Sequence, residues 1–230
     1  MKSLISFLPV VLITNMAIGQ VAIIQDEDGF TNVRAEPNGQ AAVIHRIYDN
    51  EVFWYDNEVF WDDEEINKYQ DWVSVYVPKS KYSLGCSQQA LIIGFIHKSR
   101  LRPILQMPAY QGGGFQFDYS ITAFDSRDRI IDRHEGQWIT AIDGRHVWGT
   151  DGGLPTTQIS NVDAIVEGQR ININEAFYID LFECNSGFFI RKNGDTYFVY
   201  QENSDGAGFY EIVWVLTRDG LKQRLVGSIL

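Results

Sequence analysis

Gly187-Phe188-Phe189-Ile190-Arg191-Lys192-Asn193-Gly194-Asp195-Thr196-Tyr197-Phe198-Val199-Tyr200-Gln201 is the stretch on which the fold turns. Phe188-Phe189-Ile190 enters as a strand, Asn193-Gly194 tolerates the positive φ angles of a tight primed turn, and Tyr197-Phe198-Val199-Tyr200 returns. Downstream, Tyr210 to Leu216 and Leu221 to Ile229 read as two more strands joined at Asp219-Gly220, which makes an antiparallel meander. Upstream the same punctuation recurs at Asp28-Gly29, Asn38-Gly39, Asp143-Gly144 and Asp205-Gly206. These turn dipeptides separate short β-branched and aromatic runs, and helical periodicity is nearly absent, so the expected fold class is all-β.

The first nineteen residues are set apart from the fold. Lys2 precedes an apolar run from Leu4 to Met16, and Ala17-Ile18-Gly19 places small residues where a signal peptidase reads. The run is shorter than the ~20 residues of a bilayer span. Cleavage after Gly19 is therefore expected, with an exported, periplasmic or extracellular product and no stable membrane anchor. Removing Lys2 takes the formal charge from −11 to −12. Residues 20–104 carry 13 acids against 8 bases, and residues 105–230 carry 17 against 10. Neither half offers the basic stripe that phosphate backbones require, which excludes nucleic acid as a partner.

Two N-terminal motifs carry a family likeness. Thr31-Asn32-Val33-Arg34-Ala35-Glu36-Pro37 and Gly94-Phe95-Ile96-His97-Lys98-Ser99-Arg100-Leu101 resemble the first and last signatures of a bacterial SH3-like (SH3b) domain. Between them Val43-Ile44 with Ile47, Glu51-Val52-Phe53 and Asp71-Trp72-Val73-Ser74-Val75 stand in that family's order. The likeness covers about residues 22–104 and implies a small β-barrel that binds peptides or cell-wall material. Asp49-Asn50-Glu51-Val52-Phe53-Trp54 recurs seven residues later as Asp56-Asn57-Glu58-Val59-Phe60-Trp61, which reads as an inserted ribbon folded at Asp56-Asn57. Asp62-Asp63-Glu64-Glu65 continues that insertion, and Pro78 to Ala90 reads as a second one. Pro108 and Gly112-Gly113-Gly114 mark residues 106–114 as a linker. The expected order is then signal peptide 1–19, SH3-like barrel 20–105, linker 106–114, and a second antiparallel β-domain 115–230, a sandwich or open barrel.

The ionisable residues give no complete catalytic set. His45, His97, His134 and His146 lack the spacing of a metal site, so no metal or cofactor is implied. Cys184-Asn185-Ser186-Gly187 is faintly similar to the nucleophile motif of NlpC-type cell-wall peptidases, but no histidine follows to deprotonate the thiol. Cys86 and Cys184 fall in different halves and either bridge them or remain two buried thiols. Asp151 and Asp205 sit in two glycine-rich loops, 147–155 and 203–209, whose small residues let backbone approach a ligand. Such loops equally suit turns that clasp each other. In the N-terminal half Trp54, Trp61, Trp72 and Tyr76 are the candidate ligand-binding rings, with Trp61 on the inserted ribbon.

The expected function is a secreted or periplasmic non-enzymatic binding protein that takes a peptide, a peptidoglycan stem or an envelope protein. Two alternatives accompany it. One is a cell-wall hydrolase whose carboxylates lie in the C-terminal loops. The other is an inhibitor or immunity-type protein that captures a basic secreted enzyme by charge complementarity.

Overall fold

The computed structural model describes residues 20–56, 71–84 and 90–228. The expected signal peptide, the second repeat copy from Asn57 on with Trp61, the acidic run 62–65 and Cys86 lie outside the described residues. Among those described, the chain is all-β: its strands pair antiparallel in four sheets, interrupted only by short 3-10 turns.

The N-terminal sheet has seven strands: β1 (Val21–Ile24), β2 (Phe30–Arg34), β3 (Val43–Tyr48), β4 (Phe53–Tyr55), β5 (Trp72–Pro78), β6 (Leu91–His97) and β7 (Leu101–Pro103). Their order is β3-β2-β6-β5-β4-β1-β7. Flat strands at ~4.8 Å spacing would hold β3 roughly 24 Å from β1. Yet Ile47 of β3, Val33 of β2, Val75 of β5, Phe53 of β4 and Ala22 of β1 share one buried cluster. The sheet must therefore curl around that cluster. A 3-10 turn at Lys98–Arg100, capped by the His97 ring accepting from the Ser99 amide, redirects the chain so that β7 pairs back onto β1.

Side-chain alternation then decides what the curled sheet meets on its outside. Ala22 and Ile24 of β1 and Phe53 and Tyr55 of β4 face the inside of the curl. Val21, Ile23, Val52 and Trp54 face the other way, into a second cluster with Phe198, Tyr200, Val213, Val215 and Leu225. Those partners belong to the C-terminal meander of β13 (Phe189–Asn193), β14 (Thr196–Asn203), β15 (Tyr210–Thr217) and β16 (Gly220–Gly227). The opposite faces of the same strands supply Tyr197, Val199, Ile212, Trp214, Leu216 and Val226 to a third cluster. That cluster is closed by β8 (Phe115–Ala123), β11 (Thr157–Val166) and β12 (Gln169–Ile171). The meander is thus a middle layer buried on both faces. β9 (Ile131–His134) and β10 (Trp138–Ile142) form a separate hairpin.

The decisive hairpin is present, one residue out of the expected register. Asn193 pairs with Thr196, so the two loop residues are Gly194 and Asp195, and Gly194 alone takes positive φ (58°). A glycine in the first loop position is the residue choice of a II′ turn. Asn193 instead spends its amide between the halves, donating to Asn50 (2.8 Å) and accepting from Arg102 (3.0 Å).

The segment expected as a linker is packed against the meander. Met107 is buried in the shared cluster, Ala109 bridges Arg191, and the Tyr110 amide donates to the Ile190 carbonyl at 3.0 Å. Tyr82 and Ser83, from the expected second insertion, also reach the C-terminal half. Their carbonyls accept from Arg224, and the Tyr82 ring meets Phe177 with centroids 5.1 Å apart.

Candidate functional site

β5 and β6 form a hairpin ladder whose two faces have different roles. Residues opposite one another in an antiparallel pair share a face. Val73↔Ile96, Val75↔Gly94 and Val77↔Ile92 face the inside of the curled sheet. A Cβ on Gly94 would stand 2.6 Å from the Val33 methyl and 2.7 Å from the Arg34 carbonyl oxygen, so only glycine lets β2 come this close. The other face carries Trp72↔His97, Ser74↔Phe95, Tyr76↔Ile93 and Pro78↔Leu91. Three aromatic side chains, an imidazole and two aliphatic side chains thus stand in two rows on the outside of one hairpin.

The face has a built end and an open end. Trp72 and His97 meet edge to face with centroids 5.6 Å apart. The Ser99 amide donates to His97 Nδ1 (3.3 Å), so the neutral ring carries its proton on Nε2. Tyr76 and Leu91, at the other end, pack against the core shared by the halves. Between them Ile93 is 61% exposed. Arg34 lies opposite Phe95 and continues the face onto β2, where Phe30↔Tyr48, Asn32↔Arg46 and Arg34↔Val43 follow. The Arg46 guanidinium lies 4.5 Å from the Phe30 ring centroid. Val43, Ile44 and Tyr48 are also exposed. In a chain this acidic, these outward pairs include two arginines and no carboxylate. Such a surface offers flat apolar contact to an extended chain and cations to a carboxylate.

Of the four expected rings, the structure brings Trp72 and Tyr76 together on this face. Trp54 goes elsewhere: it is 2% exposed and plugs the contact between the halves, its indole donating to Glu211 Oε1 at 2.5 Å. Trp61 lies outside the described residues. Ile93, Phe95 and His97 are not among the ligand-binding residues expected from the sequence. Their signal was present as the odd-numbered positions of Leu91-Ile92-Ile93-Gly94-Phe95-Ile96-His97, read out of phase with the small inward Gly94.

The two C-terminal loops clasp each other. Ser204 Oγ donates to the Gly149 carbonyl at 2.9 Å. A Cβ on Gly208 would meet Asp151 Oδ1 and Ser204 Oγ, each at 2.9 Å, and one on Gly149 would stand 2.2 Å from the Phe182 carbonyl oxygen. Gly208 is accounted for by packing of one loop on the other, and Gly149 by its approach to the Phe182 backbone. The Asp151 carboxylate sits beside Gly208, and Asp205 is an exposed residue preceding the 3-10 turn Gly206–Gly208 without capping it through its side chain. Of the other loop acids, Asp143 is ion-paired to Arg129 and Asp219 to Lys222.

Cys184 carries a free thiol, 2.8 Å from the Tyr210 hydroxyl. Burial pushes this thiol up to about 12, against smaller opposing effects from Tyr210 and Arg224. The thiolate a nucleophile needs is therefore absent near neutral pH. Burial lowers the His146 imidazole, with Asp180 pulling the other way. Among the described residues no group of three or more His, Cys, Asp or Glu side chains could hold a metal ion, and no helix is long and apolar enough to cross a membrane.

A cleft of about 170 Å³ opens where the halves meet, lined by Asp49, Asn50, Glu51 and Lys81 on one side and Thr196, Val215, Lys222 and Gln223 on the other. Lys81 is ion-paired to Glu51 across 2.9 Å within it, and Lys222 pairs with Asp219 beyond its rim.

No family model matches the chain, and no curated protein matches it significantly.

Proposed function

We propose that this chain is a non-enzymatic binding protein of the bacterial cell envelope, that its N-terminal half is an SH3-like barrel, and that it takes an extended peptide on the outer face of β5 and β6. The observation that carries the reading is the row of Trp72, Tyr76, Phe95, His97 and Ile93 on one face of a hairpin whose other face is barrel core. The barrel reading draws support from the curled sheet, the 3-10 turn before the last strand, and the return of β7 onto β1. These features occur where the two N-terminal motifs place the ends of an SH3b domain. Export rests on the reading of residues 1–19 and places the ligand in the envelope, as a peptidoglycan stem or the tail of an envelope protein.

The ring face supplies apolar area at small entropic cost, and Arg34 and Arg46 supply cations for the carboxylates of a stem or tail. A ring of this kind, once covered by a ligand, typically acts as a hot spot, with alanine truncation costing about 2 kcal/mol or more. The test is co-sedimentation with purified peptidoglycan beside titration with a synthetic extended peptide ending in a free carboxylate. Binding to either that weakens at least about tenfold in Trp72→Ala, with circular dichroism unchanged, supports the proposal and identifies the source. Binding to neither, or binding indifferent to Trp72→Ala, sinks it.

A further inference from the structure

We propose that Glu211 holds a proton in the native state, and that this proton completes a hydrogen-bonded latch between the two halves which opens when the proton is lost. The argument begins with Trp54, which enters the C-terminal half as a plug. A Cβ on Gly227 would stand 3.1 Å from two atoms of its six-membered ring, so glycine at that position on β16 makes the socket. At the bottom of the socket lies Glu211 on β15, 3% exposed.

The hydrogen-bond count leaves room for one more proton between Glu211 and Glu202, and burial favours Glu211, which is 3% exposed. Trp54 Nε1 can only donate, and its partner is Glu211 Oε1 at 2.5 Å. Glu211 Oε2 is 3.0 Å from the Tyr200 hydroxyl, which is also 2.7 Å from Glu202 Oε1. A hydroxyl has one proton and cannot donate to two carboxylates at once. The arrangement closes when the buried carboxyl is protonated. Trp54 then donates to Glu211 Oε1, Glu211 donates from Oε2 to Tyr200, and Tyr200 donates to Glu202. Burial is the main effect pushing the Glu211 carboxyl up to about 7, with Glu202 adding repulsion and the bonds from Tyr200 and Trp54 opposing. Burial and the neighbouring Glu211 likewise push the Tyr200 hydroxyl well up, so it remains a donor. On β4 the Tyr55 hydroxyl, which points to the other face of the strand, is raised by burial and secondarily by the charge of the Glu211 carboxylate. His146 stands one contact further off, against Trp148 beside Gly227.

Losing the proton removes the Glu211-to-Tyr200 donation and leaves a buried anion beside Glu202. Because the folded carboxyl binds its proton more tightly than the unfolded one, its contribution is fully present below about pH 4.5 and is lost as pH rises through about 7. Trp54 pairs with Tyr76 across β4 and β5, so the latch ends on the strand that carries the ring face.

The test follows the indole N–H resonances of the full chain from pH 5 to 9. Trp54 is expected to move with a midpoint near 7, while Trp214, which donates to the Tyr119 hydroxyl at 2.7 Å, stays still. In Glu211→Gln the amide mimics the protonated acid, and the Trp54 shift is expected to disappear. The thermal midpoint of the wild type should fall between pH 5 and 8 relative to that variant. A stationary Trp54 resonance in the wild type, a midpoint in the ordinary carboxylate range, or parallel stability profiles for the two proteins would each overturn the latch.

Discussion

Gln223 offers the sharpest quantitative test of how the halves are joined. Its side-chain amide imitates a strand partner for Val52: the Val52 amide donates to Oε1 at 2.8 Å, and Nε2 donates to the Val52 carbonyl at 2.7 Å. Both residues are buried, at 1% for Val52 and 6% for Gln223. Gln223→Met keeps the volume and removes both bonds. Leaving a buried backbone group without its partner costs about 1–3 kcal/mol, so losing two costs about 3 kcal/mol if relaxation recovers part. For a domain of this size each kcal/mol moves the melting temperature by about 2–4 °C, which gives a fall of about 6–12 °C. Gln223→Ala adds a cavity and should melt lower still. Calorimetry at one fixed pH checks both variants against the wild type. If Gln223→Met melts within about 1 °C of the wild type, Val52 has other partners and the amide is not a structural clamp.

Three further expectations come from other parts of the molecule. Gly94→Ala pushes a methyl into the Val33 side chain and the Arg34 carbonyl, so chemical denaturation should show a loss of about 1–3 kcal/mol with the slope unchanged. Arg224 and Asp180 form an ion pair at 2.6 Å with both side chains fully buried. Arg224→Met should therefore cost about 3–5 kcal/mol, and adding Asp180→Asn should restore part of it, a coupling that a double-mutant cycle measures. Cys184, its thiol held near 12 by burial, should resist a thiol-specific reagent at pH 8 in the native protein and react on unfolding; rapid native labelling would contradict the burial.

The meander was legible because its signals are local. Asn193-Gly194 and Asp219-Gly220 flank runs whose aromatic and β-branched residues have no comfortable helical pattern, and β13 to β16 form there. Its place as a middle layer was not legible. Tyr197-Phe198-Val199-Tyr200 is apolar at every position, and such a run fits a doubly buried strand without naming either neighbour. The glycine-rich loops were legible only as loops. Whether Gly149 and Gly208 approach a ligand or another loop depends on segments distant in sequence, and here the segments are each other and Phe182.

Trp54 shows most clearly why the site was only half readable. It stands in the same kind of local sequence as Trp72, next to β-branched and aromatic neighbours, and both read as candidate binding rings. What separates them is the face each strand presents and what lies opposite. Trp72 shares a face with His97, whose ring is held by Ser99 on the outside of the curled sheet. Trp54 shares a face with Val52 and points at Glu211, a residue 157 positions later. A buried glutamate within Tyr210-Glu211-Ile212-Val213-Trp214 is the one sequence cue to that contact, since a carboxyl flanked by core residues needs a donor brought from elsewhere. Tyr200 and Trp54 supply the bonds, and burial of the carboxyl places the proton on Glu211. The same residue that closes the join between the halves is therefore the one that makes it responsive to pH.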